Sequence, residues 1–536
     1  MTGKQFITEF LLKNGVEFVF HLPGIHSLPL TSFLVQQDKI TTVIPRHESD
    51  LAFMADGYAR VSGKPGVLLI TPGPGLGNIL TGCMEAFNSD VPLLIMHVDV
   101  ERADIPKGIL HGLADPECIF QNVTKKTYRI SKTNEMPGLL DAAYLQCTTG
   151  RTGPVLVSIP YSFFEKTVPE NHAVHDLEPL SEALGESEPL SEFVERFEHL
   201  LQNKHRPVIL AGRNAMTKRI GNILAGICSD KQIPLVTTTG GKGVLPDSDP
   251  HVFGNIMSRA ANDIIASADI VVAAGTRLRD TEVRRRSVKI DELVHIDCDH
   301  QWLDRNYASK LTFAGDIEHA LCAAENVMRS MTFSWDLQSL AQAQQKEKKS
   351  LEASPGFQIM TLLRNTVPEN TTVVCDLNMI SYWCEYYFPV FLQHSFIMPR
   401  GMSPIFYALP AGIGAKMGRP SNPCLAICGD GGILPTIAEL STMQQYKAPV
   451  VIFLYNNNSF GILEDIMSER YGIQHALNLR NPDFVSLARS FGIKAKRTRA
   501  LQGLRQIFER DISWDEPFLI EFSGPVYEPP WRQRSK

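Results

Sequence analysis

The sequence of 536 residues predicts an α/β protein built from three doubly wound parallel-sheet domains. Three observations carry this. Short, nearly continuous apolar runs recur along the chain, amphipathic helix-like stretches separate them, and two polar stretches cut the chain into three blocks of domain size. The runs are "GVEFVF", "PGVLLITP", "PLLIMHVDV", "GPVLVSIP", "RPVILAG", "ADIVVAAG", "TTVVCDLN", "PCLAICGDGG" and "APVVIFLYNNN". A strand of a parallel sheet is buried on both faces, so it reads as continuously apolar rather than alternating. Alternation of such strands with helices argues α/β architecture. The first polar stretch, 164–192, is acidic and carries prolines; the second, around 334–355, contains "AQAQQKEKKS". Both suit linkers or exposed helices. They set the expected domains at 1–165, 190–335 and 350–536, each of ordinary size.

Composition narrows the function classes. Hydrophobic residues make up 44% and charged residues 21%, an ordinary globular mix. Net charge is 52 − 58 = −6, so neither nucleic acid nor an anionic membrane surface is expected as a partner. The three arginines at 284–286 read as a solvated surface segment. Ten cysteines are scattered without a CxxC pair, and Cys424 and Cys428 fall in a strand-like run as small core residues. The first twenty residues lack the hydrophobic block of a signal peptide, and no apolar run approaches the roughly 18 residues that would span a bilayer. A cytoplasmic, soluble protein is expected.

The stretch "GDGGILPTIAELSTMQQYKAPVVIFLYNNNSFG" (429–461) carries the first chemistry. "PCLAIC" predicts a strand, "GDGG" a tight turn, "ILPTIAELSTMQQY" a helix and "PVVIFLY" the next strand. Pro435 would sit in the first helical turn, where its missing N–H is harmless. Both polar ends then fall at the carboxyl edge of a parallel sheet, where open α/β sheets bind ligands. Gly429 and Gly431 would allow a sharp turn and close approach by a phosphate. Asp430, Asn457 and a backbone carbonyl just beyond supply three oxygens, a set suited to Mg²⁺ completed by water and phosphate oxygens. A helix start after the glycines would add its dipole. An Asp-Gly turn and an Asn-rich loop in a plain strand–helix–strand unit account for the same residues without a ligand.

"GDG", the 24 residues 432–455 and "NN" together resemble the signature of thiamine diphosphate-dependent enzymes. The resemblance implies that Asp430, Asn457 and the carbonyl of Ser459 hold Mg²⁺ at the cofactor diphosphate. A second segment, "PRHESDLAFMADGYARVSGKPGVLLITPGPGLGN" (45–78), resembles the cofactor-activating segment of the acetolactate synthase-like branch. There the residue matching Glu48 contacts N1′ of the aminopyrimidine, and a shared proton favours the imino tautomer that removes the thiazolium C2 proton. Glu48 is expected to open a helix with Leu51, Ala52, Ala55 and Ala59 on its apolar side, and burial beside the ring would raise its pKa. The match adds Gly73 and Asn78 as cofactor contacts, and Ile405 as the apolar prop under the bent cofactor, a position that also reads as a plain buried isoleucine.

The resemblance covers nearly the whole chain and names the three blocks as pyrimidine-binding, central and pyrophosphate-binding domains. It implies a homo-oligomer, at least a dimer and in the fuller form a dimer of dimers, because family members build the site between subunits. It leaves open a flavin or ADP in the central domain, where "TTTGGKGVLP" and "GTRLRD" are not decisive.

The implied chemistry is attack on a 2-oxo acid, loss of CO2 and an enamine intermediate. Protonation of the enamine completes a non-oxidative decarboxylation, the leading expectation. Carboligation of the acetolactate synthase type or C–C lysis is the alternative, and a catalytically silent scaffold is the remote one. "VFHLPGIHSLPL" departs from the family's frequent "VFGxPG": His21 replaces a glycine and is assigned to structure. His26 resembles a histidine of benzaldehyde lyase and of guanidino-oxo-acid decarboxylases, and His111 resembles the latter branch, although Gly112 and Leu113 replace its polar pair. Imidazoles titrate near neutrality, so His26 and His111 are the candidate proton carriers. Phe460, Ile462, Leu463 and Glu464 are expected to border the substrate, and Glu464 with Asp465 would suit a cationic group on it.

Overall fold

The computed structural model describes residues 1–169, 189–283, 288–474, 477–525 and 527–535. The arginines at 284–286 and most of the first polar stretch lie outside them. The described chain forms three six-stranded sheets in which every pairing between strands is parallel.

The first sheet contains β1 (Phe18–His21), β2 (Thr41–Val43), β3 (Gly66–Ile70), β4 (Leu93–Asp99), β5 (Lys126–Arg129) and β6 (Val155–Pro160), in the order β2-β1-β3-β4-β6-β5. The second contains β7 (Pro207–Ala211), β8 (Leu235–Thr237), β9 (Val252–Asn255), β10 (Ile270–Ala274), β11 (Leu293–Asp297) and β12 (Leu311–Ala314), in the order β12-β11-β10-β7-β8-β9. The third contains β13 (Thr372–Cys375), β14 (Phe396–Ile397), β15 (Cys424–Gly429), β16 (Val451–Asn456), β17 (Lys494–Thr498) and β18 (Phe518–Ser523), in the order β14-β13-β15-β16-β18-β17. The first and third sheets share one strand order, while the second has the order of dinucleotide-binding folds. Each of the nine apolar runs became a strand. The stretch around 334–355 contains the mostly exposed helix Leu337–Leu351.

The first and third sheets are joined by one close helix crossing, which fixes where the first chemistry-bearing segment points. Helix Glu48–Ser62 lies against helix Ala408–Gly418, and both contribute to one buried apolar cluster that includes Phe53, Met54, Tyr58, Leu409 and Ile413. A Cβ on Gly57 would overlap the carbonyl of Ala411, and one on Gly414 the carbonyl of Met54. The crossing therefore closes backbone to backbone. Beside it, Arg60 pairs with Asp56 at 2.6 Å and with Glu85 at 3.1 Å, and the Tyr407 hydroxyl donates to Asp56. All of these side chains are buried, so the charges are matched inside the contact. Gly57→Ala forces the helices apart and should cost about 1–3 kcal/mol or more. Thermal unfolding of the variant checks this, with a clear drop in melting temperature as the expected result.

Candidate active site

Strands β15 and β16 lie side by side, with Gly429 opposite Tyr455, so both ends of the 429–461 stretch emerge at one carboxyl edge. There a cavity of about 300 Å³ opens beside the ends of β13, β15 and β16. Ile405, Gly429, Asp430, Gly431, Asn457, Ser459, Phe460, Ile462 and Leu463 all line it, joined by Asp376, Asn378 and Tyr382.

Three sequence expectations need correction here. "GDGG" is not a loop turn: Gly429 is the N-cap of a helical turn, Asp430–Ile433, and Pro435 lies in a following 3-10 turn, Leu434–Thr436. Proline lacks the N–H that would continue the α-helix, which resumes at Glu439–Gln445. The glycines also serve space rather than conformation, since neither Gly429 nor Gly431 has positive φ. A Cβ on Gly431 would stand 2.5 Å from the Phe460 ring, and one on Gly432 would overlap the Ile405 carbonyl and the Asp376 carboxyl. Finally, Ile405 is not a core residue; it is 39% exposed and forms cavity wall.

The oxygens at the cavity floor fit a hard cation. In one amide orientation the Asn457 oxygen faces only acceptors, Asp430 Oδ1 at 3.2 Å and the Ser459 carbonyl at 2.9 Å; in the other, its NH₂ donates to both. A cation placed among them would satisfy all three oxygens in the first orientation. Burial raises the Asp430 pKa despite a 2.8 Å hydrogen bond from Asn481 Nδ2, which also donates to Asn456 and Asn458. Asn481 was not foreseen, because "NLRNPD" carries no recognisable pattern. Among the described residues no group of three His, Cys, Asp or Glu is placed to hold a metal.

Beyond the cavity floor, helix Gly461–Tyr471 carries Ile462 and Leu463 to the rim. Glu464 accepts from the Leu477 N–H at 2.9 Å, and Asp465 pairs with Arg532 at 2.9 Å. Asp465 is therefore engaged by the chain itself.

The first sheet gathers the remaining residues at its own carboxyl edge. Glu48 starts helix Glu48–Ser62, as expected, and accepts from Asn78 Nδ2 at 3.0 Å. Gly73 has φ +67°, and a Cβ there would stand 3.0 Å from the Cα of His111. His111, itself at φ +66°, has its ring 6.0 Å from that of His26, centroid to centroid. Tyr161, directly after β6, has its ring 5.3 Å from that of His26, centroid to centroid. Its place directly after "GPVLVSIP" was the available signal for this residue. Burial, with the neighbouring His111, lowers the His26 pKa.

Within one chain these two edges do not share a cavity: every described residue lining the 300 Å³ space comes from position 376 or later. The segment before Glu48 instead contacts the outer helix of the third sheet, where the Arg46 N–H donates to Glu439 at 2.7 Å. Asp50 is buried beside Glu439 and hydrogen-bonded to it, and burial followed by that neighbour raises the Asp50 pKa. The folded chain thus keeps a proton that the unfolded chain loses above the ordinary carboxylate range near 4. This contribution to stability is complete at low pH and declines as pH rises from there. Asp50→Asn should flatten the loss of melting temperature between pH 6 and pH 9, which parallel thermal melts would reveal.

The edge of the second sheet holds a cavity of about 60 Å³ among Arg213, Gly240, Arg277, Arg279 and Arg400. Arg277 and Arg151 both pair with Asp90, and Arg400 pairs with Glu385. This space is far below the roughly 300–1,000 Å³ of ligand pockets.

Comparison with known proteins identifies relatives over nearly the whole chain. Family models for the thiamine pyrophosphate enzymes match in three pieces: the N-terminal TPP binding domain over residues 1–119, the central domain over 194–324 and the C-terminal TPP binding domain over 376–522. A probable 2-ketoarginine decarboxylase of Pseudomonas aeruginosa is 32% identical over 527 residues, covering 96% of this chain and 91% of that protein. A probable acetolactate synthase large subunit of Methanocaldococcus jannaschii is 28% identical over 559 residues, covering 97% and 91%. An acetolactate synthase of Bacillus subtilis is 27% identical over 535 residues, covering 97% and 92%.

Proposed function

The chain belongs to the thiamine pyrophosphate enzyme family, and from that premise we propose that it catalyses the Mg²⁺-dependent, non-oxidative decarboxylation of a 2-oxo acid. Bound thiamine diphosphate supplies the carbon nucleophile for the substrate carbonyl and takes up the electron pair released when CO2 leaves. The chain's residues do the rest. Asp430, Asn457 and the Ser459 carbonyl would hold Mg²⁺, and the glycine floor would admit the diphosphate. Ile405 would support the cofactor from the cavity wall. Glu48, hydrogen-bonded to Asn78, would exchange a proton with the aminopyrimidine N1′, and Gly73 leaves the space that His111 occupies. Phe460, Ile462, Leu463 and Glu464 border the substrate.

The observation that carries decarboxylation over ligation is the His26–His111 pair. A decarboxylase must return a proton to the carbon that lost CO2, whereas a ligase presents a second carbonyl there. Imidazole is a side chain that can hand over a proton and be reloaded by water, and burial, with the neighbouring His111, lowers the His26 pKa and so favours release of its proton. A cationic 2-oxo acid is the first substrate to try, because the 32% identical relative is a probable 2-ketoarginine decarboxylase. The acetolactate synthases among the relatives keep carboligation as the second reading.

We also infer that the two edges meet across copies of the chain. Ile25 and Leu110 stand 83% and 73% exposed next to His26 and His111, while Ile405 and Leu463 are exposed on the cavity wall, so each edge presents apolar surface to cover. A dimer, or a dimer of dimers, would complete the site.

Product analysis tests the reaction. With guanidino-, amino- and alkyl-substituted 2-oxo acids, one aldehyde should appear for each CO2 released. Acetolactate or acetoin from pyruvate as the main product would establish the ligase instead.

A further inference from the structure

Resting on the proton-transfer role proposed for His26, we infer that His21 is a positioning residue that fixes His26 relative to His111. His21 is fully buried at the end of β1. Its Nδ1 lies 2.7 Å from the Leu69 carbonyl, which can only accept, so Nδ1 carries the proton. Nε2 then offers a single lone pair to two hydroxyls, Thr31 Oγ1 at 2.9 Å and Ser27 Oγ at 3.1 Å, and accepts from one of them at a time. Burial lowers the pKa to about 4, so the ring stays neutral and keeps this tautomer at working pH.

The two arms of this imidazole reach the turn that carries His26 and the strand that leads to Gly73, the residue against His111. On one side, Ser27 adjoins His26 in the chain, and its hydroxyl lies 2.8 Å from the Gly24 carbonyl and 3.1 Å from the Gly24 N–H. The turn holding His26 is thereby closed on itself and tied to β1. On the other side, Leu69 lies in β3, directly opposite His21. Beyond it the chain runs through Thr71, against which Gly24 packs, to Gly73, which contacts His111. One neutral side chain thus bridges the His26 turn and the strand leading to the His111 contact. Glycine, frequent at this position in the family pattern, offers neither arm.

Single-arm variants separate positioning from simple packing. His21→Asn retains a donor toward Leu69 and loses the acceptor for Ser27 and Thr31; Thr31→Val removes one hydroxyl without opening a large space. Both should keep cofactor binding and thiazolium C2 proton exchange, which depend on other residues. kcat should fall about tenfold with KM little changed. In the His26→Ala background, His21→Asn should bring no further loss. ¹³C-histidine NMR of the holoenzyme gives a readout independent of activity: the His26 signal, assigned by its disappearance in His26→Ala, should shift in His21→Asn. An unmoved His26 signal, or losses that add in the double variant, would overturn the inference. If His26→Ala retains full kcat, the proton-transfer reading fails, while the shift of the His26 signal still decides whether His21 positions it.

Discussion

Glu48→Gln should slow C2 proton exchange of bound thiamine diphosphate, and turnover with it, by about 10²–10⁴-fold, the usual range for loss of a positioned acid–base group. The substitution is nearly isosteric. The glutamine carbonyl can still accept the 3.0 Å hydrogen bond from Asn78, so helix Glu48–Ser62 and its first turn keep their geometry. What disappears is the ability to share a proton with N1′. Exchange measured by NMR in D₂O isolates this step from substrate binding and product release. Melting temperature should remain near wild type, because Glu48 stands half-exposed at a helix start and the buried contacts begin at Asp50 and Leu51. Equal exchange in the two proteins would remove Glu48 from the activating role.

The sequence made the centre of each sheet legible and its margins illegible, for a physical reason. β3, β4, β15 and β16 are buried on both faces, so their residues are almost all apolar. β2, β5 and β17 are edge strands with largely exposed or half-exposed side chains, and "TTV", "KTYR" and "KAKRT" carry no apolar run to mark them. The cavity residues 429–431 and 457–463 were legible because they are local in sequence and fall at strand ends. The reason for their glycines was not, because Phe460, Ile405 and Asp376 come to them from other loops. The same limit applies to His26 and His111. Each could be singled out by its resemblance, but their contact depends on Gly73, which takes positive φ and leaves the space that His111 occupies. The joint between the first and third sheets was invisible for a related reason. Gly57 and Gly414 look like ordinary helix interruptions until the two helices are seen to close on them.

Asp430→Ala should abolish Mg²⁺-dependent retention of thiamine diphosphate. The change removes the only carboxylate among the three facing oxygens and leaves an amide and a carbonyl, too little negative charge to hold Mg²⁺ against its hydration. It also frees Asn481, whose amide is presently shared among Asp430, Asn456 and Asn458, so the loop after β16 loses a tie as well. Isothermal calorimetry with thiamine diphosphate and Mg²⁺ should show no saturable binding, and unchanged binding would remove the metal assignment. The same variant tests the assembly. Glu48→Gln and Asp430→Ala disable different edges, and the described chain keeps those edges in separate places. If a site forms between two copies, co-expression of the two inactive chains yields mixed dimers in which one site carries both substitutions and the other carries neither. Activity should then reappear in the mixed dimer although each parent lacks it. Were each site formed within one chain, every site in the mixture would carry one lesion and activity would stay absent.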